Sequence, residues 1–218
     1  MERRTKMVAI KTDGGQIGWR FGLRWVLLTI VGLTIGFIAG FVLGEIGLGF
    51  IGLETTLGAA VGFMQWLALR RVIKIGISWA MTNVIGFLVS SSIHTLALYV
   101  WKLPEDLGVP LGALGWMIAF VLGGTLAGIM QQRILRHHVR RSGWWVPASA
   151  AGWGLGMTGL GIFFQFFHVM KSGPAVLKLI HNVLAPLLIP SVVLGVITAV
   201  TLIWLMRQPT QQLPDTAT

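Results

Sequence analysis

The chain contains no cysteine and a single tyrosine. The first absence excludes disulfides and thiolate metal sites, and it removes any cysteine signal about redox compartment. Charge is scarce as well: Asp, Glu, Lys and Arg together make up 11% of the residues, against roughly a quarter in a soluble domain. Acidic residues are the scarcest, 7 against 17 Lys and Arg, so the net charge is +10. With so few carboxylates there are no intramembrane carboxylate pairs. No nucleophile–base–acid set or Gly-rich phosphate loop can be assembled either, so the chain is not expected to be an enzyme. No tight ligand spacing such as His-x3-His occurs within one helix, so no metal site is expected. The basic charge comes with no nucleic-acid-binding module, which argues against nucleic acid as a partner.

What the chain does have is apolar bulk: 55% hydrophobic residues, 29 Gly and 10 Trp among 218. Such a chain cannot cover a water-facing surface with polar groups, and the expected class is an all-α polytopic membrane bundle. Six stretches reach the roughly 20 apolar residues that a bilayer core requires, about 25–44, 53–70, 79–100, 111–134, 144–167 and 183–206. Residues 1–24 form a basic tail and residues 207–218 a polar one. The basic start followed by an apolar run has the order of a signal peptide, but the run is too long for an ordinary h-region and is taken as a retained first span.

Charge position supplies the topology. With the N-terminus inside, segments 1–24, 70–78, 133–143 and 207–218 hold 14 of the 17 Lys and Arg, and the intervening loops hold only Lys102, Lys171 and Lys178. That is the positive-inside asymmetry, and it predicts both termini in the cytoplasm, in a bacterial inner membrane.

The spans also repeat. Trp25-x3-Thr29-x2-Gly32, Trp79-x3-Asn83-x2-Gly86 and Trp145-x3-Ser149-x2-Gly152 share one pattern. Each is followed by a Gly-led segment ending on Arg twelve residues later: Gly58 to Arg70, Gly124 to Arg136 and Gly195 to Arg207. Three helical hairpins are predicted, about 25–71, 79–136 and 145–207, related by a pseudo-threefold axis along the membrane normal. Small residues recur every fourth position at Gly32, Gly36 and Gly40, at Gly58 and Gly62, at Gly124 and Gly128, and around Gly195. That spacing gives a flat face along each helix and is assigned to close helix packing. Gln65 and Gln131 stand about 7 Å inward of Arg70 and Arg136, where an amide can tie neighbouring hairpins together.

Three features are candidates for function. In the third span, Asn83, Ser90 and His94 are spaced by seven and four, which puts them on one face, with Ser91 and Thr95 beside them. Polar groups inside a span face protein or water, and they mark either packing or a ligand site. His168 and His181 are placed at the outer ends of the last two spans, and Glu45 and Glu54 at the outer turn of the first hairpin. His94 is expected to point toward the last two spans, where Pro186 and Pro190 disturb the sixth helix. The cluster Arg133, Arg136, Arg140 and Arg141, with His137 and His138, suits anionic lipid head groups or simply fixes orientation.

The Gln65-Trp66-x2-Leu69-Arg70-Arg71 and Gly143-Trp144-Trp145-x3-Ser149-x2-Gly152 runs resemble a group of uncharacterised multi-pass bacterial membrane proteins, with members in photosynthetic lineages. That resemblance implies a bacterial inner membrane and transfers no site residue. In size and span count the chain is similar to the substrate-binding subunits of energy-coupling-factor transporters. Mitochondrial carriers also have three hairpin repeats, but their Pro-x-Asp/Glu-x2-Lys/Arg motif is missing here. The expected function is a small non-enzymatic membrane subunit or scaffold, with a membrane protein partner or a second copy. The alternatives are a substrate-binding or permease component and a pigment- or haem-binding accessory subunit. The sequence designates no cofactor.

Overall fold

The computed structural model describes residues 18–100, 111–166, 174 and 185–208. Those residues form six α-helices and no strand: α1 (Trp19–Leu43), α2 (Gly49–Leu69), α3 (Ser78–Val100), α4 (Leu111–Leu135), α5 (Trp145–Phe166) and α6 (Ala185–Met206). Three stretches are long and apolar enough to cross a membrane: Trp19–Leu48, Met117–Leu135 and Leu187–Met206. Each helix packs on the next in chain order, and α6 returns to pack on α1, so the six close into a ring. The expected basic tail through residue 24 is shorter than predicted, because α1 already begins at Trp19. Phe21 and Gly22 are buried, and Gly22 lies against Ile203 of α6, which makes this turn part of the ring.

Small residues set how closely the helices approach. A Cβ added at Gly32, Gly36 or Gly40 would stand 2.7–2.8 Å from the backbone Cα of Val61, Leu57 or Leu53. The α1–α2 contact is therefore backbone against backbone, and no larger side chain fits there. The same test brings Gly58 and Gly62 against Phe87 and Asn83 of α3. Gly124 and Gly128 meet Trp153 and Ser149 of α5, and Gly195 meets Val26 of α1. The turn between α1 and α2 is the short stretch Gly44–Leu48, broken by a kink at Gly47, and Gly47 and Gly49 take positive φ of 95° and 48°. This left-handed backbone favours glycine and lets α2 start at Gly49 without a longer loop.

Two layers of side chains fill the ring. Toward the Arg-rich end, Trp25, Trp79 and Trp145 meet, with ring centroids 6.5, 6.2 and 5.4 Å apart, and Leu69, Leu135, Leu202 and Leu205 pack around them. These tryptophans head the three copies of the repeated pattern, and each comes from a different helix. Two of the three indoles find hydrogen-bond acceptors: Trp25 Nε1–H donates to Thr198 Oγ1 at 2.9 Å, and Trp145 Nε1–H donates to Gln131 Oε1 at 2.7 Å. Gln131 thus ties α4 to α5. Toward the opposite end, Leu33, Leu57, Val61, Phe87, Phe120, Trp153, Met157 and Leu194 form a second cluster. Phe87 and Trp153 lie 4.4 Å apart between ring centroids. The outward faces carry exposed Leu27, Ile38, Ile85, Leu96, Leu155 and Val200. The bundle is apolar both inside and outside, as expected where lipid and not water is the solvent.

Candidate functional site: a buried carboxylate–imidazole pair

The polar residues of α3 turn inward. Asn83, Ser90, Ser91 and His94 are all buried, and Thr95 is half-buried. Most of this polarity is spent locally. The Asn83 side-chain amide donates to the Trp79 carbonyl at 3.4 Å, and the Ser91 hydroxyl donates to the Leu88 carbonyl at 3.1 Å. A hydroxyl that bonds its own helix disappears into it. Ser90 instead donates across the interface to the Ala119 carbonyl of α4, which ties α3 to α4 at the level of the second core layer.

His94 differs from these residues. Its Nδ1 lies 2.7 Å from Oε1 of Glu54 on α2, and the two residues are 4% and 0% exposed. This polar partner on α2 is not among those expected from the sequence; His168 and His181, the partners expected from the last two spans, lie outside the described residues. Glu54 was expected on an outer turn but lies inside a helix, because the Gly47–Gly49 turn is so tight that α2 is already formed by Gly49. The spacing Glu54, Leu57, Val61 then puts the carboxylate on the same inward face as two fully buried core residues. That spacing is present in the sequence, but it points the carboxylate inward only once α2 is known to begin at Gly49.

The geometry requires at least one proton between the two groups, because two bare acceptors do not approach to 2.7 Å. Either Nδ1–H donates to a carboxylate or the carboxylic acid donates to Nδ1. Charge buried in this environment persists only when it is paired. The second oxygen, Glu54 Oε2, and the hydroxyls of Thr55 and Thr95 are buried and make no hydrogen bond among the described residues. An ionisable pair held inside an apolar bundle is the kind of group that marks a ligand, ion or proton site.

The remaining candidates are dispersed. His168 and His181 lie outside the described residues. Glu45 is exposed in the turn between α1 and α2. No group of three or more His, Cys, Asp or Glu able to hold a metal occurs among the described residues. Pro186 falls in the first turn of α6, where a missing N–H costs nothing, and Pro190 lies inside the helix, with Gly156 of α5 packed against its carbonyl.

At the Arg-rich end, Arg133, Arg136, Arg140 and Arg141 are all exposed. His138 is the interior-facing member of that cluster. Its Nε2 lies 3.3 Å from the Lys74 carbonyl, joining the α4–α5 turn to the α2–α3 turn. Burial holds the His138 imidazole below its usual range, and the neighbouring His137 adds to the effect. Arg70 stacks on Trp66 with its guanidinium carbon 4.6 Å from the ring centroid.

The chain matches no known family model, no curated protein and no solved structure.

Proposed function

We propose that the protein is a small integral inner-membrane subunit of a membrane complex, with all six helices spanning the bilayer as three hairpins and both termini in the cytoplasm. One observation carries this reading: the six helices close into a ring whose centre is plugged in two layers by Trp25, Trp79 and Trp145 and by Phe87, Phe120 and Trp153. A filled ring offers no continuous path for a solute. Its helix faces carry exposed large apolar side chains, so its work is done by presenting those faces to lipid and to protein neighbours, without chemistry. The pseudo-threefold relation is supported by the way corresponding residues of the three repeats share one level. Gly32, Gly86 and Gly152 each face the second helix of their own hairpin, against Val61, Ala127 and Leu194.

The Glu54–His94 pair favours a second reading, a substrate-binding or permease component whose site lies at the end of the bundle opposite the arginines. Liposomes decide between the two. Vesicles carrying the purified protein should leak no small ion or solute faster than empty vesicles. Flux that disappears in Glu54→Gln would overturn the subunit reading and establish the transport one. Topology is read separately. Reporter fusions at residues 105 and 175 should lie outside and one at residue 138 inside. An inside signal at 105 would break the hairpin scheme.

A further inference from the structure

Between α5 and α6, at the Arg-rich end, an outward-facing groove of about 490 Å³ is lined by Trp144, Pro147 and Ala148 on one wall and by Val200, Thr201 and Trp204 on the other. That volume lies within the range of sites that hold an organic ligand. The walls carry one hydroxyl, Thr201, and it donates to the Ile197 carbonyl of its own helix at 2.9 Å. No side-chain hydroxyl is left over for a polar occupant, so the groove takes an apolar one. Trp144 and Trp204 meet edge-on at its rim, with centroids 6.3 Å apart. Paired exposed indoles at this level mark where hydrocarbon meets head groups.

The exposed charge that precedes Trp144 along the chain selects the head group. Arg140 and Arg141 are exposed and precede Trp144 by four and three residues. Arg141 has a φ of 57° and caps the short 3-10 turn Ser142–Trp144 that carries Trp144 to the groove. Among the described residues the acidic side chains are Glu45 and Glu54, both toward the opposite end of the bundle, so neither neutralises the two guanidiniums. Arg207 follows Trp204 by three residues, but its guanidinium reaches toward Gly18 at the start of α1 and is not counted in the site.

We propose that this groove is a specific site for one anionic glycerophospholipid of the bilayer, with an acyl chain between α5 and α6 and its phosphate on Arg140 and Arg141. The proposal rests on the membrane reading above and assigns to that surface a defined lipid in place of an average one. It is tested by titrating the full-length protein in mild detergent with phosphatidylglycerol or phosphatidylcholine of identical chains and counting bound lipid by native mass spectrometry. Wild type should bind one phosphatidylglycerol well above phosphatidylcholine. Arg140→Gln with Arg141→Gln should remove that preference, a loss of about 30-fold at roughly 1 kcal/mol for each basic residue. Val200→Trp, at a position already exposed, should fill the groove and displace both lipids while the melting temperature stays put. Equal binding of the two lipids, an arginine variant that keeps the preference, or a dimer mass that Val200→Trp abolishes would each overturn the proposal. The topology fusions are an independent readout. A lost preference in a protein whose residue 138 is inside defeats the lipid site and leaves the membrane reading standing.

Discussion

Glu54 and His94 depend on each other. Taking either charge or hydrogen-bonding group away leaves the other buried and uncompensated, which costs about 3–5 kcal/mol, whereas replacing both by apolar residues of similar volume is often neutral or stabilising. His94→Leu is therefore expected to be destabilising by about that amount, because it strands the Glu54 carboxylate. Glu54→Leu with His94→Leu should recover most or all of the loss. A thermal-melt cycle in detergent over the four proteins checks this, and additive losses would mean that the pair is not coupled. A recovered melting temperature together with a lost membrane-complex phenotype would place the pair in function and not in folding. The inward polar face of α3 was legible from spacing alone, since Asn83, Ser90 and His94 share a side of any helix. The identity of the partner was not. A carboxylate next to a Gly-rich turn reads as a loop residue until the turn is known to end by Gly49, and only then does Glu54 fall in register with Leu57 and Val61.

At the scale of the helices, the repeated glycines were the most informative letters in the sequence, because a residue with no Cβ every fourth position has few uses other than close approach. The structure puts Gly36 where an added Cβ would sit 2.7 Å from Leu57 Cα and 2.8 Å from the Thr56 carbonyl oxygen. Thr56 uses the same closeness, donating its hydroxyl to the Gly36 carbonyl at 3.0 Å. Gly36→Leu must therefore push α1 off α2 and break that bond. The expected cost is at least the roughly 1–3 kcal/mol of an overpacked core, seen as a lower melting temperature in detergent. Ile35→Leu, at an exposed position one residue away, is the control and should leave stability unchanged. An unchanged Gly36→Leu protein would show that the α1–α2 contact is not as close as described. The helix starts were harder to read than the faces. Arg20 and Arg24 made the first turns of α1 look like tail, although burial of Phe21 and Gly22 against the ring overrides that local polarity.

Closure of the whole ring makes the last prediction. Because α6 packs on α1 just as each other helix packs on its successor, the chain termini leave the bundle beside each other, at the end where the arginines lie. The contact carries a hydrogen bond between its two helices, Trp25 Nε1–H to Thr198 Oγ1, and Gly195 packs against the Val26 backbone, so it is built like an internal seam of the ring. A closed ring has no intrinsic starting point, and chains opened at exposed turns between adjacent termini generally refold. A circular permutant should therefore insert and fold when residue 208 is joined to residue 18 by a short Gly/Ser linker and the chain is opened between Gly76 and Ile77, both of them exposed. It keeps an even number of helices with both new ends on the Arg-rich side, so the clustering of basic residues at that end is preserved. Its melting temperature in detergent should fall by only a few degrees, since opening an exposed turn removes few buried contacts. A permutant opened inside α2 instead, between Val61 and Gly62, should fail to accumulate, because both residues are buried against neighbouring helices. If the turn permutant also fails while the wild-type chain is stable under the same conditions, α6 and α1 are not a native seam. The bundle would then be an open row of helices, and its central Trp25–Trp79–Trp145 cluster would lose the contacts that hold Trp25 in place.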